Sequence, residues 1–308
     1  MSDRIRVGIL GTIQGPHVQS LVKAFGDLGT DVAVLPPTRL TSHIPGRTEV
    51  SDAKGPAAVE DLDALLVRSL PGGSLEQVIY RVNVLHRLEQ AGLRVINRAE
   101  TLEKTVDKFY TLALLATAGL PVPRTVVTER HDQAMQAVAD LGAVVVKPLF
   151  GSLGTGMTLV DDREVAYRVF RALEMGRYVF YLQEFLPHDN EDFRIFVLDG
   201  QIAGAMRRRG KGWKTNIACG GVAEYFEPDA VLADLALKTA AILNADYVGV
   251  DILISQGKPY ILEANGIPGW SGLQTVCPVD IAGLLARYVA RAARLDKERR
   301  KSQPGRPQ

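Results

Sequence analysis

Residues 247–269 read YVGVDILISQGKPYILEANGIPG, and this stretch organises the rest of the chain. β-Branched apolar side chains stand at 248, 250, 252 and 254 and alternate with Gly249, Asp251, Leu253 and Ser255, which is the period of a β-strand. A tight connection at 256–258 follows, and a second strand covers 259–264. The stretch therefore predicts an antiparallel hairpin.

Three oxygen-bearing side chains stand at one end of this hairpin. Glu263 and Asn265 are two residues apart on a strand, so they project from one face. With the hairpin centred on Gly257, Asp251 lies opposite Glu263. Carboxylates that close repel each other unless one takes up a proton or a cation. Since oxygen ligands suit Mg²⁺, we predict a magnesium site; a turn-capping Asp251 with a solvated Glu263 is the alternative.

The composition of the 308 residues is typical of a globular enzyme, with 46% hydrophobic and 23% charged residues. The length predicts two or three lobes. A formal net charge of +1 gives no signal for nucleic acid or an anionic membrane, and no apolar run approaches the roughly 20 residues that span a bilayer. Cys219 and Cys277 lack metal-binding spacing, and the histidines are scattered. We expect a cytoplasmic protein with free thiols and no zinc, nucleic-acid or membrane partner.

The first part of the chain reads as strand, helix and strand over residues 4–35, which predicts a parallel sheet. The loop at 11–16, GTIQGP, lacks the G-x-G-x-x-G fingerprint of dinucleotide-binding folds. Residues 36–56 read as a turn-rich connection. Arg68 follows an apolar strand, at the edge of the sheet where ligands bind. It is a candidate for binding a substrate carboxylate, with an ordinary surface arginine as the alternative.

A glycine-rich segment follows the next apolar strand. A helix is predicted over 99–118 and contains Lys108. The strand at 143–148 ends in Lys147, and residues 151–156 then read GSLGTG. Glycines let backbone N–H groups turn towards an anion, and Lys147 would reach phosphate oxygens beside them. The segment is not a P-loop, because G-x-x-x-x-G-K-[ST] is missing; a flexible structural turn is the alternative.

The second half of the chain adds a run of cations. An apolar strand covers 178–186, and a hairpin over 193–206 turns at Asp199-Gly200. Five lysines and arginines then fall within the eight residues 207–214. Such a run is normally a solvated loop, but aimed at the acidic hairpin it would offer forked donors to phosphate and carboxylate groups. A last helix is predicted over 279–295.

The order of these motifs resembles the ATP-grasp superfamily, and within it the RimK-type alpha-L-glutamate ligases. The resemblance covers residues 1–295, and its most specific element is E-x-N-x-x-P-G at 263–269. The motifs that carry it are Asp107-Lys108 on a helix ending in AGLPVPRT, VVKPLFGSLGTG, LQEFL, EDFRIFV, the Arg/Lys run with Asn216, VGVDIL and LEANGIPG.

The resemblance implies an α/β fold of the ATP-grasp kind. Residues 1–98 would form an N-terminal parallel βαβ domain, 99–186 a small α+β lobe with the glycine-rich loop, and 187–296 a C-terminal α+β lobe with the metal site. The two α+β lobes would clasp ATP. Residues 297–308, charged and rich in Pro and Gly, are expected to be disordered. Relatives of this kind form homo-oligomers, so a dimer or tetramer is expected.

The resemblance also implies roles for individual residues. The nucleotide would be bound by Lys108, Lys147, Gly151, Ser152, Gly154, Gly156, Glu184, Phe185, Leu186, Asp192 and Lys214. The catalytic set would be Arg194, Arg207, Arg208 and Asn216, with either Arg208 or Arg207 facing the transferred phosphate. Asp251, Glu263 and Asn265 would hold two Mg²⁺ ions, with Mn²⁺ as the alternative metal. Arg68 and Gly220 are candidate substrate contacts. Lys214-Thr215-Asn216 departs from the usual Arg-Ser-Asn of the family. Lysine in place of arginine keeps the positive charge but loses the forked pair of guanidinium donors.

The activity implied is ATP-dependent ligation of a carboxylate to the amine of glutamate or a similar amino acid, through an acyl phosphate. The acceptor would be a small molecule or a peptide tail. One alternative is another ATP-grasp ligase, such as a tetrahydromethanopterin:glutamate ligase or an enzyme of the dipeptide or glutathione type. A non-catalytic nucleotide-binding protein is the other alternative.

Overall fold

The fold is given by a computed structural model that describes residues 4–52, 55–151 and 156–302. The first elements are β1 (Arg6–Leu10), α1 (Pro16–Asp27), β2 (Asp31–Leu35), β3 (Leu40–Ser42), β4 (Thr48–Asp52), β5 (Gly55–Ala58), β6 (Ala64–Val67), α2 (Leu75–Gln90) and β7 (Arg94–Ile96). The middle elements are α3 (Ala99–Val106), α4 (Lys108–Thr117), β8 (Thr125–Thr128), α5 (His131–Leu141), β9 (Val144–Lys147), β10 (Thr158–Val160), α6 (Arg163–Met175) and β11 (Phe180–Glu184). The last are β12 (Glu191–Leu198), β13 (Gln201–Arg209), β14 (Val222–Tyr225), α7 (Ala230–Leu243), β15 (Tyr247–Ser255), β16 (Lys258–Asn265), α8 (Ser271–Val276) and α9 (Ile281–Ser302).

The N-terminal sheet is parallel, in the order β2-β1-β6-β7. Successive residues of its strands face opposite ways. Val7, Ile9 and Leu66 pack with α1 and α9, whereas Leu65 and Val67 pack with α2 and α3. Both faces of the sheet are thus covered, as parallel sheets require. The predicted strand–helix–strand opening is confirmed.

Two antiparallel sheets follow, in the orders β10-β9-β11-β8 and β14-β13-β12-β15-β16. The mixed α/β class predicted from the sequence is confirmed. The division at residues 98, 186 and 296 stays a prediction, and α9 shares one hydrophobic core with the N-terminal sheet and α1.

The segment predicted to be a turn-rich connection contains a small antiparallel sheet, β3-β4-β5. Its strands are three to five residues long, too short for their alternation to stand out among prolines and glycines. The prediction of a turn-rich segment over residues 36–56 thus left out these short strands.

The single helix predicted over 99–118 is two helices, α3 and α4, separated at Asp107. The Asp107 carboxylate accepts hydrogen bonds from the backbone N–H groups of Phe109 and Tyr110, at 2.9 and 3.1 Å. An aspartate that binds the backbone in this way begins a new helix instead of continuing the old one. Lys108 consequently stands in the first turn of α4.

The C-terminal helix continues to Ser302, so the expected disorder is wrong for residues 297–302. Lys297 Nζ lies 3.1 Å from Asp63 Oδ2, and Arg300 donates to the Asp63 carbonyl oxygen. These contacts attach the last turns of α9 to the segment before β6. Residues 303–308 lie outside the described residues. No helix in the described part of the chain is long and apolar enough to cross a membrane.

The predicted hairpin is formed by β15 and β16. Its connection is the two-residue turn Gln256-Gly257, in which both residues have positive φ angles of 50° and 74°, as a type I′ turn requires. The ladder then shifts by one residue between Asp251 and Ile252, which is a β-bulge. Beyond the bulge Asp251 pairs with Glu263, so the predicted register is confirmed at the acidic end.

Gly266, directly after β16, packs against helix α3. A Cβ atom built there would lie 2.2 Å from Thr105 Oγ1, far inside van der Waals contact. We expect Gly266→Ala to lower the free energy of unfolding by about 1–3 kcal/mol, the usual range for overpacking, as measured by chemical denaturation. Thr105→Ala removes the clashing oxygen, so the double variant should recover part of the loss. Equal losses in single and double variants would contradict this explanation.

Candidate active site

A cleft with about 810 Å³ of empty space lies between the two antiparallel sheets. Its walls come from both sheets and from the start of α4. Twelve of the residues singled out from the sequence line it: Lys108, Lys147, Gly151, Glu184, Phe185, Leu186, Asp192, Arg208, Lys214, Asn216, Asp251 and Glu263. Ser152 and Gly154 lie outside the described residues. The structure thus brings most of the predicted site together.

The acidic end of the cleft is built from cross-strand ion pairs. Arg194 on β12 stands opposite Asp251 on β15 and donates two hydrogen bonds of 2.6 Å to its two carboxylate oxygens. Arg208 on β13 stands opposite Asp192, binds both of its oxygens and lies 2.9 Å from Asp251 Oδ2. Two arginines and two aspartates therefore form one connected network.

This network is almost completely buried: Asp192, Arg208 and Asp251 are 3%, 2% and 2% exposed. Burial alone would raise the pKa of Asp251, but the guanidinium groups of Arg194 and Arg208 outweigh it and lower that pKa below its usual range. Burial would likewise lower the pKa of Arg208, yet the two aspartates raise it. Asp251 and Arg208 therefore stay charged at neutral pH.

The neighbouring arginines on β13 point to opposite faces of the sheet. Arg208 pairs with Asp192 in the cleft, whereas Arg207 stands opposite Phe193 on the other face. There Arg207 binds Glu224 of β14 through Nε, at 3.0 Å, and through Nη2. Adjacent residues of a strand point to opposite faces, so Arg208 is the arginine that reaches the cleft.

Glu263 and Asn265 lie side by side on β16, and the Asn265 amide donates to Glu263 Oε1 at 3.0 Å. Arg194 Nη2 lies 3.8 Å from the same oxygen. The second oxygen of Glu263 and the amide oxygen of Asn265 remain as ligands of the hard, oxygen-only kind that suits Mg²⁺. Within the described residues no three His, Cys, Asp or Glu side chains group around a metal position. One predicted ligand, Asn265, is an amide, and Asp251 is ion-paired. The chemistry of these oxygens fits Mg²⁺.

Three lysines, Lys108, Lys147 and Lys214, converge on the cleft. Lys147 Nζ donates to Gln183 Oε1 at 2.6 Å. Lys108 and Lys214 donate to the carbonyl oxygens of Gly151 and Met157, each at 2.7 Å. These two carbonyls flank the glycine-rich segment. Three ammonium groups around one concavity form a site for a polyanion.

Desolvation affects two of these lysines. Lys147 is half-buried, and burial lowers its pKa to about 8, while Glu263 acts in the opposite direction. Burial lowers the pKa of Lys108 as well, again opposed by Glu263. An approaching phosphate would favour the charged form of both groups.

The remaining wall of the cleft is formed by Glu184, Phe185 and Leu186 at the end of β11. Glu184 accepts hydrogen bonds from the backbone N–H and Nε of Arg124, each at 2.7 Å. The Phe185 N–H donates to the Ala143 carbonyl oxygen. The segment is thereby held at both of these residues beside an apolar slot.

The family model described as "RimK-like ATP-grasp domain" matches residues 105–289, which is more than half of the chain. The chain belongs to the RimK-like ATP-grasp family. It is therefore an ATP-dependent ligase, and the resemblance predicted from the sequence motifs is confirmed. ATP together with Mg is typical of such ligases.

Relatives of this ATP-grasp ligase share nearly its whole length. The tetrahydromethanopterin:alpha-L-glutamate ligase of Methanocaldococcus jannaschii is 30% identical over 292 residues, covering 92% of this chain and 98% of the relative. A probable alpha-L-glutamate ligase of Thioalkalivibrio sulfidiphilus is 31% identical over 279 residues, with 89% and 91% covered. The structure of ATP-grasp ligase PsnB with its minimal precursor superposes with a TM-score of 0.74 at 23% identity, covering 94% of this chain and all of PsnB. At that identity the likeness shows the fold alone.

Two predicted substrate contacts of the ligase lie apart from the cleft. Arg68 is 8% exposed, donates to the Tyr247 hydroxyl and the Pro268 carbonyl oxygen, and stacks on Trp270 with its guanidinium carbon 4.5 Å from the ring centre. This geometry favours a structural contact between the N-terminal sheet and the hairpin over a substrate contact. Gly220 ends a short 3-10 turn at φ 90° and is not among the residues that line the cleft.

Sequence reasoning missed several residues of the ligase cleft. Gln183, which holds Lys147, is 2% exposed, and a lone glutamine inside the apolar strand YVFYLQEFL was the available signal. His188 and Trp213 also line the cleft. Arg124, directly before β8, anchors Glu184, and no local pattern in the sequence pairs those two residues.

The lowered pKa of Lys147 predicts a pH dependence of ATP binding by the ligase. In the free protein Lys147 is charged below about pH 8 and loses its proton above it. Below pH 8 the protonation of Lys147 should therefore not change ATP affinity. Above pH 8 the affinity should fall by about tenfold for each pH unit. Titration calorimetry with ATP between pH 7 and 9 measures this, and Lys147→Arg, which keeps its proton, should remove the decline. An unchanged decline in that variant would assign it to another group.

Proposed function

We propose that this ligase joins the amino group of glutamate to a carboxylate of a small-molecule acceptor, with release of ADP and phosphate. The observation that carries the proposal is the cleft itself. Three lysines line it together with Arg208 and Glu263. The names of relatives that cover about nine tenths of the chain support glutamate as the amino acid, and one of these names gives tetrahydromethanopterin as the acceptor.

In the first step the acceptor carboxylate oxygen attacks the γ-phosphorus of ATP. The bond from that phosphorus to the β–γ bridging oxygen breaks, which yields an acyl phosphate and ADP. Lys108, Lys147 and Lys214 would bind the triphosphate, and Arg208, held rigid by its two aspartates, would offer fixed donors to the transferring group. Glu263 and Asn265 would hold Mg²⁺, which when bound would supply positive charge to the phosphoryl oxygens. Asp251, also predicted as a ligand, has both carboxylate oxygens bonded to Arg194 and is not assigned to the metal.

In the second step the neutral amine of glutamate attacks the acyl carbon. The carbonyl oxygen becomes an oxyanion, and its collapse expels phosphate while the amine gives its extra proton to solvent or to the departing phosphate. Arg194 and Asn216 are the remaining candidates to stabilise this oxyanion or to orient the amine. The scheme needs no covalent nucleophile from the protein.

Finer points belong to the same proposal. On the family resemblance we also propose that two metal ions bind and that Mn²⁺ can replace Mg²⁺. On the same ground we propose a homodimer or homotetramer and a cytoplasmic location. A PsnB structure that contains Mg and ADP supports the metal–nucleotide pair.

The experiment is ADP release by the purified protein with ATP, Mg²⁺, one amino acid at a time and a small-molecule extract as acceptor pool. We expect release that depends on glutamate and is lost in Glu263→Gln, with a product heavier by one glutamate residue in mass spectrometry. Glu224→Gln, a change of the same kind on the opposite face of the sheet, is the matched control and should be active.

The other outcomes are distinct. Stimulation by alanine or glycine instead of glutamate would indicate a ligase of the dipeptide or glutathione type. ATP binding without turnover under every condition would favour a non-catalytic nucleotide-binding protein. Release that persists in Glu263→Gln would show that the metal site has been assigned to the wrong residues.

A further inference from the structure

Asn97, directly after β7, is completely buried, and both its amide nitrogen and its amide oxygen form hydrogen bonds at the ends of the hairpin. Its Nδ2 donates to the carbonyl oxygens of Tyr247 and Gly266, each at 2.7 Å. Its Oδ1 accepts from the N–H groups of Asp246 and Tyr247, at 2.7 and 3.2 Å. One side chain of the N-terminal lobe is therefore bonded to both strands of the hairpin.

These four bonds lie where the backbone ladder between β15 and β16 stops. The last pair of that ladder is Gly249 with Asn265. The Asn97 amide connects Gly266, directly after Asn265, with Tyr247, two residues before Gly249, and so bridges the two sides just beyond the last rung. A buried amide with both donors and its acceptor satisfied is a rigid connection.

The location matters because β16 is an edge strand with a bulge. Among the described strands it pairs with β15 alone, with one further backbone hydrogen bond from the Ile261 N–H to the Pro121 carbonyl oxygen. The ladder is interrupted between the turn and the acidic end. Glu263 and Asn265 lie three residues and one residue before Gly266. The end of the strand that carries them is held by the ladder on one side of Asn265 and by Asn97 on the other.

We propose that Asn97 is a positioning residue for the metal-binding end of the hairpin, a proposal that rests on the function proposed above only in assigning a divalent cation to Glu263 and Asn265. Asn97 fixes the spacing between the ends of β15 and β16, and thereby the spacing between Asp251 and the two ligands on β16. Supporting groups of this kind change metal affinity by 10–100-fold when they are removed.

The test measures metal binding without turnover. Free Mn²⁺ is followed by electron paramagnetic resonance while the full-length protein, with a non-hydrolysable ATP analogue, is titrated. Asn97→Asp keeps the acceptor but places a charged oxygen against two carbonyl groups, and it should weaken Mn²⁺ binding by about tenfold or more. In turnover assays the apparent KM for Mg²⁺ should rise by a similar factor, with kcat partly restored at high Mg²⁺.

Thr101→Val is the matched control. Thr101 is equally buried and also bonds across the lobes, to the carbonyl oxygens of Leu243 and Asn244, but it does not touch the hairpin ends. It should lower thermal stability and leave Mn²⁺ affinity unchanged. If Asn97→Asp does not fold, Asn97→Gln, with the same groups on a longer stem, replaces it.

The outcomes separate the two proposals. Equal Mn²⁺ affinity in wild type and in a folded Asn97 variant would reduce Asn97 to a structural role and overturn the inference. Mn²⁺ binding that is lost both in Glu263→Gln and in the Asn97 variant would support it, even if no amino acid stimulates ADP release. Absence of a Mn²⁺ site in the wild type would overturn it outright.

Discussion

Arg208→Ala is expected to abolish ADP release and to lower the free energy of unfolding by about 3–5 kcal/mol, the usual cost of removing one partner of a buried ion pair. Two carboxylates, Asp192 and Asp251, would lose the guanidinium they share, and both are almost fully buried. Denaturant unfolding and ADP release with the complete substrate mixture measure the two effects. Arg208→Lys keeps the charge without the fork and should retain more stability than activity.

Arg207→Ala is the control from the adjacent position on the same strand. Its side chain is 32% exposed and pairs with Glu224, so we expect a loss below about 1 kcal/mol, typical of exposed pairs, with activity retained. If the effects of the two alanine variants were reversed, the transferred phosphate would have to lie on the other face of the sheet, against the described geometry.

Lys147→Met is expected to weaken ATP binding by about 100-fold while changing the free energy of unfolding by less than about 1 kcal/mol. The ammonium group makes one hydrogen bond, to Gln183, and burial already disfavours its charge. An uncharged side chain of similar length therefore costs the fold little. The triphosphate would lose a cation in a desolvated cleft, where charge interactions are strong.

Titration calorimetry with ATP and denaturant unfolding of the same protein samples measure the two quantities. Lys23→Met, on the exposed face of α1, serves as the control and should change neither. A stability loss of several kcal/mol in Lys147→Met would mean that Lys147 mainly supports the fold.

Much of the active-site hairpin could be predicted because its information is local. The alternation over residues 248–255 and the spacing of Glu263 and Asn265 suffice to place two ligands on one face. The opposition of Asp251 and Glu263 was predicted correctly, but from a turn centred on Gly257. In the structure the turn is Gln256-Gly257, and the one-residue shift in register at the bulge brings Asp251 opposite Glu263. Nothing in the sequence marks that bulge.

Other features depend on partners distant in the chain. Which of Arg207 and Arg208 enters the cleft is set by their register against Asp192, and one residue of slip would exchange them. The break at Asp107 was hidden because the apolar pattern of α3 continues into α4. Helix α2 was not predicted, although Ser74 and Gln77 form a capping box at its start, a signal that was present in the sequence.

The shared core of the first and last parts of the chain affects how the protein is made. Residues of β1 and α1 pack against Leu285 and Val289 of α9, more than 250 positions later in the sequence. During synthesis one face of the N-terminal sheet therefore stays uncovered until almost the whole chain has left the ribosome. Contacts of such long sequence separation form slowly, and exposed apolar sheet surface favours aggregation in the meantime. Loss of α9 would leave the nascent N-terminal lobe dependent on chaperones, although every residue of the cleft would still be present.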